Sequence, residues 1–158
     1  MARRSPMPMY NGGEMPTSAE RWAVDTSVAI AALDAAHAAH DVCRSIVQAR
    51  RPGLAGHAAF ETYSVLTRMP GLLALDGPTA ASLIGRVFPT VYGLGAEAAQ
   101  EFVARLGAVG VLGGAVYDAL VGEAARVNGC RLLTRDQRAR RTYDLLGVDH
   151  ELVGLPIV

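Results

Sequence analysis

The sequence predicts an α/β domain in which a central parallel sheet is covered by helices, and three observations carry that prediction. Short apolar runs alternate with longer segments of helical periodicity, the pattern made by crossover connections between parallel strands. The chain has 158 residues, 51% of them hydrophobic, which suits one domain around one core. No internal repeat, low-complexity tract or linker divides it, and a chain of this length buries roughly 70% of its unfolded surface without help from disulfides or a structural metal.

The elements follow in order. Trp22-Ala23-Val24 reads as a first strand that stops at Asp25-Thr26-Ser27, polar residues of the kind that cap helices. Aliphatic residues then recur at helical spacing from Val28 to Leu33 and from Ala38 to Val47, closed by Arg50-Arg51-Pro52-Gly53. Leu54-Ala55-Gly56 is a short second strand, and His57 to Met69 a helix closed by Pro70-Gly71. Pro78 to Phe88 and Ala96 to Val109 make two more helices, separated by Pro89, Gly93 and Gly95. A helix restarts near Tyr117-Asp118 and ends at Asn128-Gly129. Cys130 to Thr134 is a strand, Gln137 to Leu146 a helix, and Val148 to Val153 the last strand. Residues 1–21 are expected to form an irregular tail and 22–158 the folded domain.

Composition excludes several chemistries. Fifteen basic and fifteen acidic residues cancel, leaving no global electrostatic footprint for nucleic acid or membrane. Every basic residue is arginine, so a P-loop NTPase, a Schiff-base enzyme and a Ser-Lys hydrolase are excluded for want of a lysine. Cys43 and Cys130 have no CxxC partner and are expected to be small apolar residues in a reducing compartment. The first residues lack the apolar core of a secretory signal, and no apolar run is long enough to cross a bilayer. The expectation is a cytoplasmic protein without a membrane role.

The acids provide the functional signal. In a parallel α/β sheet, ligands bind beyond the carboxyl ends of the strands, where each crossover helix also begins. Asp25 and Asp136 each follow a strand, while Asp118 and Glu61 lie at helix starts, so all four belong at that edge. An acid in such a place is most often a cap or a partner of the helix macrodipole. The surroundings argue for more: Asp25 interrupts an apolar stretch, Glu61 lies near Phe60 and Tyr63, and Asp118 lies between Val116 and Ala119-Leu120. Half-buried carboxylates crowded without counter-charge repel one another, and a divalent cation relieves this. All-oxygen ligation favours Mg²⁺ or Mn²⁺ over zinc, and such ions suit phosphodiester hydrolysis by an activated water.

VDTSVAIA around Asp25, HAAFETYSVL with Glu61, VYDAL with Asp118 and LLTRD with Asp136 resemble the PIN domain, most closely the VapC toxins of bacterial VapBC toxin–antitoxin pairs. The resemblance spans residues 22 to 153. It implies a three-layer α/β/α sandwich and a metal-dependent endoribonuclease, the toxin of a type II pair. It further implies that Asp25, Glu61, Asp118 and Asp136 are catalytic and bind the metal. Asp25 is then the central ligand, Glu61 and Asp118 complete a first metal site, and Asp136 serves a second or acts through water. Thr26, Ser27 and Thr134 are expected to orient carboxylates or waters. The implied partners are RNA, a cognate antitoxin that packs an apolar helix into a groove, and a second copy of the chain. The competing reading is a PIN-fold RNA-binding or scaffolding protein with little catalysis, against which the presence of all four acids argues.

Weaker candidates surround these. Arg131, Arg135, Arg138, Arg140 and Arg141 crowd Asp136. Arg135 and Arg138 are the first choices for contact with substrate phosphates, although a solvated helix face explains most of the cluster. The four histidines are scattered, with His57 expected at most to cap its helix. Tyr63, Tyr117 and Trp22 are expected in the core rather than as base-stacking platforms.

Overall fold

The computed structural model describes residues 20–71 and 74–154. A five-stranded, wholly parallel sheet forms the centre, in the order β3-β2-β1-β4-β5. The strands are β1 (Arg21–Val24), β2 (Gly53–Ala55), β3 (Val91–Tyr92), β4 (Cys130–Thr134) and β5 (His150–Leu152). The helices are α1 (Thr26–Leu33), α2 (His40–Arg50), α3 (Ala58–Arg68), α4 (Gly77–Val87), α5 (Ala96–Val109), α6 (Ala115–Val127) and α7 (Arg140–Leu146). Among the described residues no helix is long and apolar enough to cross a membrane. The expected tail lies almost wholly outside the described residues.

Strand periodicity builds the three layers. Successive side chains point to opposite faces, so in β1 Ala23 joins Leu132 of β4 in a core with Phe102, Ala119 and Tyr143 from α5, α6 and α7. Val24 and Leu133 turn to the other face, against Val28, Cys43 and Ala58 from α1, α2 and α3. Cys43 and Cys130 are buried free thiols, as expected of small apolar residues.

Two close approaches fix how the helices lie. Gly122 of α6 faces the Tyr143 ring and Val148, and a Cβ there would come within 2.9 Å of each. Gly56, at φ +59°, turns the chain out of β2 beneath the backbone of Leu120 and Val121, a conformation that favours glycine. Gly56 lets α6, which carries Asp118, lie close to the end of β2, and Gly122 lets it lie against α7.

The element boundaries correct the sequence expectations in several places. β1 starts at Arg21, α1 at Thr26 and α2 at His40, while α7 begins only at Arg140 and β5 spans His150–Leu152. β2 is Gly53–Ala55, with Gly56 outside it. The sequence expectation lacked β3. Its two residues are too few to show a period; they pair with Leu54 and Ala55, and Tyr92 packs against the core.

Candidate active site

Asp25 leaves β1 and becomes the N-cap of α1, its Oδ1 accepting from the Val28 N–H at 3.1 Å and from the Ser27 hydroxyl at 2.6 Å. Its Oδ2 accepts from the Thr134 hydroxyl at the end of β4, at 2.5 Å. The two hydroxyls are themselves fixed: Ser27 Oγ accepts the Arg135 N–H at 2.8 Å, and Thr134 Oγ1 accepts the Asp136 N–H at 3.0 Å. The cap and the functional constellation are therefore the same residue, with β4 clamping it from the other side. Asp25 is 6% exposed, and burial pushes its carboxyl above the usual aspartate range. The bonds from Ser27, Thr134 and Val28 act against that shift, and the charge of Asp136 adds to it.

Glu61, in the first turn of α3, accepts the Thr26 hydroxyl at 2.6 Å. The His57 imidazole lies on the same carboxylate oxygen, with Nε2 at 3.5 Å. Asp118 sits in the first turn of α6. Its carboxyl is raised by burial first, then by the charges of Asp136 and Glu61, with Arg138 and His57 acting in the opposite direction. Asp136, just past β4, accepts the Arg138 backbone N–H at 2.9 Å. Asp25, Glu61, Asp118 and Asp136 line one cavity of about 250 Å³, together with Thr26, Ser27, His57, Val121 and Tyr143.

Glu123 shows what a structural acid looks like in this chain. It too is buried, but Arg126 grips it through two bonds of 2.7 and 2.8 Å and Arg105 through one of 2.9 Å. The Arg126 bonds lower its pKa. Asp25 and Asp118 shift the other way because no buried cation answers them.

The arginines do not supply one. Arg135 donates from its guanidinium to the Val153 and Gly154 carbonyls at 2.8 Å each. The Arg138 side chain is 94% exposed and reaches Asp136 only at 3.5 Å. Among the described residues no three His, Cys, Asp or Glu side chains stand close enough to hold an ion directly. The four carboxylates instead share one open cavity, and oxygen donors of that kind suit a cation that keeps part of its water shell, as Mg²⁺ commonly does. Donor type and uncompensated charge both fit a hard divalent cation.

Two expectations change, and a third, Trp22 in the core, holds in part, since Trp22 packs against one core layer. His57 stands at the N-cap of α3 but makes no side-chain cap bond; it lines the acid cavity, and its buried Nδ1 lacks a hydrogen-bond partner among the described residues. Its i,i+4 spacing from Glu61 was the available sequence signal. Tyr63 and Tyr117 are exposed, not core. Trp22 is partly buried beneath the Arg50 guanidinium, 3.9 Å from its ring centroid.

A profile of the PIN domain family matches residues 23–145. Ribonuclease VapC27 of Mycobacterium tuberculosis (strain ATCC 25618 / H37Rv) is 44% identical over 126 residues, covering 80% of this chain and 92% of that protein. Ribonuclease VapC40 of Mycobacterium tuberculosis (strain CDC 1551 / Oshkosh) is 40% identical over 134 residues, covering 83% of this chain and 98% of its own.

Proposed function

The chain belongs to the PIN domain family, and from that premise we propose that it is a metal-dependent endoribonuclease, the toxin of a type II toxin–antitoxin pair. One observation carries the chemistry: Asp25, Glu61, Asp118 and Asp136, brought from four separate elements, line one cavity. The first and third are raised in pKa with no buried counter-charge. The relatives' names, each a ribonuclease, support RNA as the substrate class, and the resemblance to the toxins of VapBC pairs implies a cognate antitoxin as the silencing partner. A homodimer and a cytoplasmic location complete the proposal.

The four acids are the residues that would hold Mg²⁺ or Mn²⁺, and such an ion would activate a water and stabilise the leaving oxygen. The chain's own residues prepare that site. Ser27 and Thr134 fix both oxygens of Asp25, so its carboxylate is oriented before anything binds. Thr26 and His57 both meet Glu61 at its Oε2. Arg138, largely exposed beside Asp136, is placed to meet a substrate phosphate, whereas Arg135 serves by its backbone N–H to Ser27 and by its hold on the segment just after β5. In hydrolysis the water oxygen bonds to phosphorus, the bond from phosphorus to the 3′-oxygen breaks, and the products are a 5′-phosphate and a 3′-hydroxyl.

RNA cleavage assayed with Mn²⁺, with Mg²⁺ and with chelator tests this. Cleavage that needs either ion, and stops with chelator while the fold persists, is expected. Undiminished cleavage by thoroughly chelated protein would refute it.

A further inference from the structure

Two rings that the carboxylate chemistry leaves unused stand beside it. Phe60 immediately precedes Glu61 on α3, and Tyr117 immediately precedes Asp118 on α6; they are 75% and 64% exposed. Neither ring lines the cavity itself, but each is one helix position from an acid that does. Single exposed apolar side chains are ordinary, but Tyr117 is anchored to the site. Its ring packs against the His57 ring at 5.6 Å between centroids and 70° between planes, and His57 in turn lies on Glu61. A contact of that kind occupies at most one face of the tyrosine.

Resting on the ribonuclease assignment above, we propose that Phe60 and Tyr117 are nucleobase-stacking residues that receive the bases next to the scissile phosphate. The cavity offers an anionic chain little but carboxylates, the chain's formal charges sum to zero, and the Arg135 guanidinium is committed to backbone carbonyls. Arg138 offers one charge to a phosphate, and contacts that do not depend on charge add to the affinity. Stacking on an aromatic ring contributes about ten- to hundredfold per base and tolerates any base, since each has a π-face. The bases so held must be unpaired.

The test measures binding of a short unpaired oligoribonucleotide, and its cleavage with Mn²⁺, for Phe60→Ala, Tyr117→Ala, Phe60→Trp and Tyr117→Trp. Val103→Ala, at a 69% exposed position on α5, is the control. Each alanine variant is expected to raise Kd and KM about tenfold or more, with the loss in KM rather than kcat. The tryptophan variants and the control should bind as wild type does, and the fluorescence of tryptophan at 117 should be quenched by RNA. Alanine variants that bind as tightly as the control would overturn the proposal and return the rings to protein contact. If wild type binds RNA without cleaving it, the ribonuclease assignment fails, while the Kd series still decides on stacking.

Discussion

The Thr134 hydroxyl donates to Asp25 Oδ2 across 109 residues of sequence, and its oxygen accepts the backbone N–H of Asp136. One fully buried side chain thus ties the acid after β1 to the acid after β4 and fixes the spacing between the two.

Thr134→Val keeps the shape and removes both bonds. It should lower cleavage about 10- to 100-fold, the usual cost of losing a group that orients a metal-binding side chain. Stability should fall by about 1–3 kcal/mol, because a buried carboxylate oxygen loses its donor. Kinetics and chemical denaturation of the same variant measure both effects.

The pH dependence of the metal-free protein follows from two raised carboxyls. Asp25 and Asp118 have folded-state pKa values above their ordinary 3.8. Between that value and the raised ones, the folded chain holds protons that the unfolded chain has released, so stability is gained as pH falls through the raised values. Glu123 acts oppositely, but its pKa is lowered from 4.5, so its contribution is lost only in stronger acid. Melting followed by circular dichroism with chelator should therefore show a Tm contribution from these two groups that rises as pH is lowered from neutrality toward the ordinary aspartate range. With saturating Mn²⁺ the trend should reverse, because protons compete with the ion.

Packing of α6 against α7 is tested by glycine substitution. Gly122→Ala forces a methyl against Tyr143 and Val148 and should destabilise by about 1–3 kcal/mol. It should also impair cleavage, since Tyr143 lines the acid cavity. Gly107→Ala, on the exposed side of α5 with nothing nearby, should leave activity intact and raise stability by up to about 1 kcal/mol. Equal behaviour of the two variants would contradict the close approach.

The convergence of Asp25, Glu61, Asp118 and Asp136 was legible in the sequence because it depends on topology alone: strand ends and the starts of crossover helices share one edge. What escaped depended on contacts. β3 is defined by its pairing with β2 and by the packing of Tyr92 on the core. Tyr117 sits in an apolar context, yet the α6 residues that bury are Ala119, Val121 and those beyond, leaving the tyrosine outside. Arg135 and Arg138 look alike in sequence and differ in space, because Val153 and Gly154 bring carbonyls to the first and nothing comparable to the second.

Thermal unfolding of wild type and Asp25→Asn, each with chelator and with saturating Mn²⁺, tests most directly whether the acids form a metal-dependent site. Asparagine caps a helix about as well as aspartate, so a structural cap alone would leave the metal-free Tm nearly unchanged. A crowded carboxylate site instead gains from losing one charge, and metal-free Asp25→Asn should melt above wild type near neutral pH. The rise in Tm that Mn²⁺ gives wild type by mass action should largely vanish in the variant, together with cleavage, the mark of a site kept at some cost in stability. An Asp25→Asn protein that keeps both the Mn²⁺-induced rise and wild-type cleavage would contradict a central metal-binding role for Asp25.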